Sequence, residues 1–390
     1  MAEQGPQQSL ATLPTPAAGP PVDGRDWVVI FSGTPWANGA HRQHALAREL
    51  TVDHRVLFVD PSGHLPRWRL QVELVADDLW HTAGPALLPF GRHLSPANRV
   101  NRWLAAFLLR RWLRRRSASV RLLWLDEDLA APVATRLGEA AVVYDATDLD
   151  WTFTRRWNRP HLRRALRSAV GAADLVLASS TALPERMPVS DPPPVVLPNG
   201  CDPDRFSPAG PVAPWLTGLR RPRIGYCGAV DTRAFDAELV AAVARAHPEW
   251  TFLLIGPSTR AGRAPLVRLA NVELVDAVRF VDVPSILRAC DVTIIPYRVG
   301  GLVDYVHPKK CYEYLALGKP VVATPLPALR ALADTIRLAG DAESFAAAVS
   351  DALDEAGVPH EADRRRELAT RNSWSARGVE LRALLAGLPR

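Results

Sequence analysis

Two lysines and a glutamate lie within five residues in the segment HPKKCYEYLALGKPVVATP, residues 307–325. Pro308 suits the first position of a helix, because its ring fixes φ and its missing N–H needs no partner there. Gly318 is typical of the residue that follows a helix and Pro320 cannot continue one, so we expect a short helix and then a buried strand. Lys309 and Lys310 then lie in a first helical turn, where unpaired N–H groups and the helix dipole favour an anion.

This arrangement of charges has two explanations. Cations in a first turn oppose the helix dipole unless an anion is bound, which favours an anion site at Lys309 and Lys310. Glu313, one turn further on, can then accept hydrogen bonds from hydroxyl groups of the same ligand. Alternatively, Glu313 pairs with Lys309 or Lys310 at i,i+4 or i,i+3 spacing on an ordinary helix. The local pattern leaves both explanations open.

Strand-like and helical segments alternate along the whole chain, and a Pro-rich stretch at roughly residues 203–222 separates two such series. Alternation of this kind predicts a parallel, doubly wound sheet. The sequence therefore predicts an α/β fold with two Rossmann-like domains that face each other across a cleft. The expected strands are Trp27–Phe31, Arg55–Val59, Arg121–Leu125, Ala141–Tyr144, Leu175–Ala178 and Val195–Leu197, then Arg223–Cys227, Thr251–Ile255, Val272–Val275, Val292–Ile295, Pro320–Ala323 and Ile336–Leu338.

Glycines and carboxylates follow several of these strands directly. Gly33 lies in FSGTPWANG, Asp145 and Asp148 in YDATD, and Gly228 in YCGAVDTRAFD. Ligands of doubly wound sheets bind at the carboxyl ends of the strands, so we expect these residues near a ligand. The dinucleotide fingerprint GxGxxG is absent, but Gly228 still permits close approach of a phosphate to the backbone.

The order of these motifs resembles a known family. LPNGCDPDRF, YCGAVD, LLIGP, ACDVTIIPY and PKKCYEYLALGKPVVAT occur in the order found in retaining GT-B glycosyltransferases of family four, in the bacterial branch with a P-x-K-x-x-EYLA-x-G-K-P signature. The similarity covers roughly residues 25–385, and HRQHALAREL and VVYDATDLDW are similar to that branch's N-terminal motifs. RNSWSAR resembles the start of the family's closing helix, which crosses back to the first domain.

The resemblance implies a domain division and a donor site. It implies an acceptor-side domain at 25–205, a donor-side domain at 206–372 and a returning helix at 373–390. The P-x-K motif falls on Pro308 and Lys310, which would hold the donor diphosphate, with Gly228 and Arg233 as further donor-side residues. Glu313 would hold the ribose hydroxyls. Transfer with retention is thought to need no protein nucleophile in this family, so the enzyme's task is to stabilise charge on the departing diphosphate.

The sequence departs from the family pattern at one acidic position. The usual E-x7-E motif has a glutamate eight residues before Glu313, where this chain has Tyr305, with Asp304 beside it. That glutamate commonly contacts the donor sugar, so the resemblance implies that Tyr305 and Asp304 lie on the donor side. The family's histidine after the YDATD strand is also absent; Asp148 in that region can orient the sugar, act on the acceptor or cap a helix. Gly33, His41 and Arg42 would line the acceptor side, or the latter two are ordinary first-turn residues.

Composition and cysteine usage indicate the class of protein and its cellular compartment. Charged residues are 23% and hydrophobic residues 48%, which is usual for a soluble globular protein. The four cysteines form neither a CxxC pair nor a zinc spacing, which favours a reduced, cytoplasmic location. Residues 1–24 lack the features of a signal peptide and are predicted to be a disordered, Pro/Gly-rich leader. We see no segment long enough to span a bilayer.

A run of arginines interleaved with aromatic residues at 101–125 has three explanations. It fits a surface crossover helix, an interfacial helix at the inner face of a membrane, or a nucleic-acid-binding patch. No nucleic-acid fold motif accompanies it, so we expect no nucleic-acid partner. Peripheral membrane contact through residues 101–116 stays open.

The sequence therefore predicts a glycosyltransferase of the hexosyltransferase type. Its partners would be a nucleotide-diphosphate sugar and a sugar, lipid-linked or secondary-metabolite acceptor. No cluster of Asp or His with metal-ligand spacing is visible, so we expect no metal and no further cofactor. The alternatives are a catalytically inactive auxiliary protein and a sugar-nucleotide 2-epimerase, which would normally bring more titratable residues to the cleft.

Overall fold

The computed structural model describes residues 26–388 except residues 40, 64, 138–139, 150–151 and 153. The predicted leader at 1–24 lies outside the described residues, as do Asp150 and Trp151 of the VVYDATDLDW motif.

The first half of the chain forms an eight-stranded sheet. Its strands are β1 Trp27–Phe31, β2 Arg55–Ser62, β3 Val72–Ala76, β4 Leu79–Gly84, β5 Val120–Leu125, β6 Ala141–Ala146, β7 Leu175–Ala178 and β8 Val195–Val196. They lie in the order β3-β4-β2-β1-β5-β6-β7-β8. Every neighbouring pair is parallel except β3 and β4, which form an antiparallel pair at one edge.

Helices cover both faces of this sheet. They are α1 Arg42–Leu50, α2 Ser95–Arg114, α3 Ala131–Leu137 and α4 Arg159–Gly171. Leu109 of α2 and Leu166 of α4 are buried together with Val29 of β1 on one face. On the other face, Leu46 of α1 is buried with Val28. The central strand is therefore apolar on both sides, as a parallel sheet requires.

The second half forms a six-stranded, fully parallel sheet in the order β11-β10-β9-β12-β13-β14. Its strands are β9 Arg223–Cys227, β10 Thr251–Ile255, β11 Val272–Val275, β12 Val292–Ile295, β13 Val321–Ala323 and β14 Arg337–Leu338. Its helices are α5 Ala237–Ala246, α6 Arg260–Arg263, α7 Val283–Leu287, α8 Lys310–Ala316, α9 Ala342–Asp354 and α10 Pro359–Arg371. The two Rossmann-like sheets confirm the predicted fold class.

The last helix, α11 Trp374–Ala386, returns to the first domain. Ser373 caps it by accepting a hydrogen bond from the Ala376 N–H. Leu381 and Leu385 are buried with the residues of the first sheet, and Arg382 Nη1 donates to the Glu49 carbonyl at 3.1 Å. The division of the chain at residue 205 stays a prediction.

The chain passes between the domains twice, and the two crossings lie side by side. The Cys201 N–H donates to the Asn372 carbonyl at 3.2 Å, and the Trp374 N–H donates to the Cys201 carbonyl at 2.8 Å. A Cβ on Gly200 would lie 3.0 Å from backbone atoms of Asn372, Ser373 and Trp374. Only glycine permits so close an approach of the two chain segments.

Two expectations about elements were wrong in detail. The helix predicted to begin at Pro308 begins at Lys310, with Lys309 as its N-cap. The strands β3 and β4 were not predicted at all. In the described part of the chain, no helix is both long and apolar enough to cross a membrane.

Candidate functional site

A cavity of about 430 Å³ lies between the two domains, at the carboxyl ends of their strands. Four cationic side chains and two carboxylates line it, together with two histidines, so the cavity is polar and carries more positive than negative groups. The lining residues are Gly33, Thr34, His41, Arg42, Gln43, Arg92, Asp126, Thr147, Asp148, Asn199, Tyr297, Val306, His307, Pro308, Lys309 and Lys310.

Lys310 contributes a cation held between two aromatic rings. Its Nζ lies 4.3 Å from the centroid of Tyr226 and 4.9 Å from that of Tyr297. Burial acts to lower the pKa of Lys310, but the hydrogen bond with Tyr297 and the electron-rich faces of the two rings favour the ammonium form, and the net shift of the pKa is upward. Lys310 is half-buried: its ammonium group packs against two rings of the second domain and also lines the cavity.

Gly228 makes room for this ammonium group. A Cβ at Gly228 would collide with Lys310 Nζ and lie 2.7 Å from the Tyr226 hydroxyl. The Tyr226 hydroxyl donates to the Ala229 carbonyl at 3.0 Å, and burial raises its pKa well above the ordinary value, so it is neutral. Gly228 does not line the cavity itself, but its missing side chain allows the Lys310 ammonium to lie at the turn after β9.

Lys309 and Glu313 form an ion pair next to the cavity. Lys309 Nζ lies 3.1 Å from Glu313 Oε1 and 4.7 Å from the ring centroid of Phe280. The Glu313 side chain is 10% exposed and faces a separate cavity of about 40 Å³, which it shares with Lys309 and His41. The structure therefore shows the i,i+4 pair that was one of the two explanations for the charged segment. It does not bring Glu313 into the larger cavity with Lys310.

Arg42 is engaged with a buried carboxylate. Its Nε and Nη2 donate to the two Asp145 oxygens at 2.9 Å each, and both side chains are almost fully buried. Nη1 donates to the Pro198 carbonyl at 3.1 Å. A guanidinium held this way forms part of the cavity wall in a fixed position.

Two neutral histidines lie at the cavity. His307 is buried, its ring stacks on Tyr312 with centroids 5.6 Å apart, and burial lowers its pKa to about 4. Asn199 Nδ2 donates to the His307 carbonyl at 2.7 Å, which ties the first domain to the segment before α8. Desolvation lowers the pKa of His41, and the ammonium of Lys309 lowers it further.

Three other residues that the sequence placed at the site also line the cavity. Pro308 is buried in the wall beside His307. Asp148 is exposed at the rim. Gly33 follows β1, and its N–H donates to Asp126 Oδ2 at 3.0 Å. The structure therefore brings His41, Arg42, Gly33 and Asp148 together on the first-domain side of the cavity. Lys310 lies on the opposite side.

Besides Gly228 and Glu313, three more of the predicted donor-side residues do not line the cavity. Tyr305 is the clearest: its carbonyl accepts a hydrogen bond from Ser180 Oγ at 2.6 Å and its hydroxyl accepts one from Arg186 Nε at 2.6 Å, so it contacts the first domain. Asp304 Oδ1 accepts from the Gly300 N–H at 3.1 Å and shapes that loop. Arg233 is exposed in the turn that Asp231 stabilises.

Sequence reasoning missed several lining residues. Asp126 directly follows β5 and Tyr297 is the second residue after β12, so the rule that selected Asp145 and Gly228 would also have found them. Asn199 lies in the quoted LPNGCDPDRF motif but was not assigned a role. Arg92 comes from a loop with no strand before it, and no local signal marks it.

The described residues contain no group of three or more His, Cys, Asp or Glu side chains that could hold a metal ion. That catalysis needs no metal and no further cofactor stays a prediction. All four cysteines are free thiols, and burial raises the pKa of Cys290 and Cys311 to about 12.

Part of the chain matches known sequences. Residues 221–355, most of the second domain, match the family model described as Glycosyl transferases group 1. A Bacillus subtilis (strain 168) protein, TuaH, whose name assigns it provisionally to teichuronic acid biosynthesis as a glycosyltransferase, is 30% identical over 159 residues. That alignment covers 39% of this chain and 40% of the relative's length. Both matches are to proteins described as glycosyltransferases.

Comparison with solved structures covers nearly the whole chain. Sucrose-phosphate synthase from Thermosynechococcus elongatus superposes with a TM-score of 0.69 at 17% identity, over 93% of this chain and 98% of that one. A trehalose-6-phosphate structure from E. coli bound with UDP-2-fluoro glucose gives 0.66 at 14% identity, over 93% and 100%. Anabaena HepE in complex with UDP and glucose gives 0.64 at 15% identity, over 93% and 99%. The two facing sheets are thus the GT-B fold.

Proposed function

We propose that this protein is a glycosyltransferase that moves a sugar from a nucleotide-diphosphate sugar to an acceptor hydroxyl with retention of anomeric configuration. The observation that carries the proposal is Lys310: a charged ammonium group, packed between Tyr226 and Tyr297, at a polar cavity between two domains of GT-B fold. Among the described residues, Lys309 has a carboxylate partner and Lys310 has none. An anion delivered to the cavity would supply the missing counter-charge.

The donor diphosphate is an anion of the right kind for this position. As the bond between the sugar carbon and the diphosphate oxygen breaks, negative charge grows on the leaving oxygen. The acceptor oxygen bonds to the same sugar carbon on the same face, and its proton passes to the departing diphosphate. A fixed ammonium group stabilises the growing charge without having to reorganise. Lys310 serves that role, and Gly228 keeps its position open.

The acceptor side is formed by the first domain. Asp148 at the rim and Gly33 after β1 face the cavity from the opposite wall, and His41 lies between the two cavities. Asp148 is exposed and positioned to orient an acceptor hydroxyl or the donor sugar. The buried pair of Arg42 and Asp145 keeps this wall rigid. HepE and the E. coli structure were solved with UDP or a UDP-sugar, which supports a uridine nucleotide as the first donor to test.

Replacing Lys310 by methionine tests the proposal. Methionine keeps most of the buried side-chain volume, which alanine would not, and removes only the charge. We expect kcat/KM for release of nucleoside diphosphate from the best donor in a panel of nucleotide sugars to fall by about 10²–10³, the usual cost of losing one preorganised stabiliser. Lys309→Met is the matched control, and we expect a smaller loss there. Unchanged turnover in Lys310→Met would contradict the assignment.

One observation favours a second candidate, a catalytically inactive auxiliary protein. Tyr305 occupies the position of the family's first motif glutamate. It accepts hydrogen bonds from Ser180 and Arg186 of the first domain and does not line the cavity. Calorimetric titration with UDP, GDP and dTDP separates the candidates. The inactive protein should bind none of them, whereas the transferase should bind at least one.

A further inference from the structure

The helix α2 has an apolar face that no part of the described chain covers. Val100, Trp103 and Phe107 are 38%, 51% and 52% exposed. Their spacing of three and four residues places them on one side of the helix. The rings of Trp103 and Phe107 stack with centroids 5.7 Å apart. Leu104 and Leu109 of the same helix are buried in the core, so the exposed stripe is additional to the side that packs on the sheet.

The loop before α2 extends this apolar surface. Leu87, Leu88, Phe90 and Leu94 are 37–55% exposed. The loop is fixed from within: Asn101 Oδ1 accepts hydrogen bonds from the N–H groups of Leu87 and Leu88 at 2.8 and 2.9 Å, and its Nδ2 donates to the Leu88 carbonyl at 2.8 Å. The apolar side chains are thus presented outward by a buried asparagine, and such a cluster of exposed apolar residues marks an interaction site.

Positive charge surrounds the apolar surface. The sequence contains no Asp or Glu from residue 79 to residue 125, and none from 151 to 173. Arginines on α2 and on the neighbouring α4 are exposed around the stripe: Arg99, Arg110, Arg111, Arg114, Arg163, Arg164 and Arg167. Ser95 Oγ and His161 Nδ1, 2.8 Å apart, hold the starts of these two helices together. Trp157, 61% exposed, adds an aromatic ring beside His93.

This surface reaches the cavity between the domains. Arg92 belongs to the loop before α2 and lines the cavity together with Asp148. The Asn158 side chain donates to the Arg92 carbonyl at 3.3 Å, which fixes the loop against the start of α4. A molecule lying on the apolar surface would therefore have a polar end within reach of the acceptor side.

We propose that the exposed face of α2 and the loop at 87–94 dock on an anionic lipid bilayer, and that the acceptor is a lipid-anchored hydroxyl compound presented to the cavity past Arg92. This inference rests on the proposed function. Aromatic and aliphatic side chains that enter the interface and arginines that meet anionic headgroups are the two components of peripheral membrane binding. A nucleic acid would use the arginines but has no need of four exposed aliphatic side chains in one loop and helix.

Flotation with lipid vesicles tests the docking. The full chain should float with phosphatidylglycerol vesicles at low salt, float less at about 0.5 M salt where charges are screened, and not float with phosphatidylcholine alone. Arg111→Gln with Arg114→Gln should lower the partition coefficient about 30-fold, since each basic residue near an anionic surface contributes roughly a factor of five. Arg263→Gln with Arg268→Gln, exposed on the second domain, is the charge-matched control and should bind as the unmodified protein does.

Trp103→Ser with Phe107→Ser tests the apolar component, and both side chains are half exposed, so the fold should survive. We expect this variant to lose most of its flotation but to bind nucleotide normally by calorimetry. Absence of flotation of the unmodified protein at low salt, or undiminished flotation of this variant, would overturn the docking. Single-stranded RNA added to the flotation assay should not displace the protein from the vesicles. Complete displacement by RNA would favour the nucleic-acid explanation and would also overturn the docking.

The lipid-anchored acceptor has its own readout. With a radiolabelled donor sugar and vesicles made from a bacterial lipid extract, label should pass into the organic phase, and should do so less with the Trp103 and Phe107 double variant. Label recovered only in water-soluble glycans would overturn this part. Failure of the unmodified protein to bind any nucleotide would instead refute the proposed function, so the two failures are distinguishable.

Discussion

Replacing Glu313 by glutamine separates two roles for this residue, because each role affects a different measurement. In the structure Glu313 pairs with Lys309 at 3.1 Å, and the side chains are 10% and 29% exposed. Its cavity of about 40 Å³ has room for a few water molecules but not for a ribose. A ribose can therefore reach Glu313 only if Lys309 moves aside, and Lys309 also lines the larger cavity where the diphosphate would bind.

The expected magnitudes differ enough to decide. A helical i,i+4 ion pair contributes about 0.3–0.5 kcal/mol, and Lys preceding Glu is the weaker orientation. Even with partial burial, Glu313→Gln should cost under about 1 kcal/mol of stability. A carboxylate that accepts hydrogen bonds from ribose hydroxyls contributes about 1.5–3 kcal/mol per bond. Loss of that charge should weaken nucleotide binding about 10-fold or more.

The assay is calorimetric titration of UDP and 2′-deoxy-UDP into the unmodified protein, Glu313→Gln and Lys309→Met, with urea unfolding of each. If Glu313 holds the ribose, the unmodified protein should prefer UDP over the deoxy nucleotide, and Glu313→Gln should lose most of that preference. Lys309→Met serves as the control for the ion pair: it removes the same pair but leaves the carboxylate. Equal affinities of all three proteins for both nucleotides would refute the ribose role and leave Glu313 as the partner of Lys309.

Three further results are expected. Asp145→Ala leaves the Arg42 guanidinium buried without its carboxylate, so urea unfolding should show a loss of about 3–5 kcal/mol, and Arg42→Met combined with Asp145→Leu should recover most of it; a single-variant loss below about 1 kcal/mol would contradict this. Gly228→Ala places a Cβ against Lys310 Nζ and should cost about 1–3 kcal/mol in nucleotide affinity or stability, whereas Gly218→Ala, where an added Cβ meets no atom within 4 Å, should be neutral. Burial lowers the pKa of His44 and His307 to about 4; because the folded pKa is below the unfolded value near 6.5, their contribution to stability is complete above about pH 6.5 and is lost towards pH 4. As the pH is lowered through that window, the Tm of the unmodified protein should fall, and the Tm of His307→Gln should fall less steeply. A Tm of the unmodified protein that stays constant would rule out buried neutral histidines.

The predictable part of the fold is the part with strong apolar runs. WVVIF and TFLLI are buried on both faces, and their expected bounds agree with β1 and β10. The missed strand β3 has the opposite character: it lies at the sheet edge, and Leu74 and Val75 are 56% and 39% exposed. The two-residue turn to β4 has Asp78 at φ 55°, a conformation that Asp tolerates but that Asn-Gly or Asp-Gly would have signalled more clearly.

The candidate site likewise has residues that could be assigned from the sequence and residues that could not. Residues that follow strands, such as Gly33 and Gly228, could be assigned from sequence because strand ends meet at one edge of a sheet. Sequence spacing could not show whether Glu313 faces its helix neighbour or a ligand, because i,i+4 geometry serves both. It also could not show that Tyr305 contacts the other domain, since that contact joins residues more than a hundred positions apart in the chain. Its partner Ser180 is the second residue after a strand of the first sheet.

The paired crossings between the domains have a mechanical consequence. A single connecting segment would let the two domains twist about their common axis as well as open and close. Two segments joined by backbone hydrogen bonds at Cys201 and at Trp374 act as a ribbon, which bends across its flat side far more readily than it twists. We therefore expect the motion of the domains to have essentially one degree of freedom, so that every opening of the cavity separates Lys310 from Asp148 along nearly the same path.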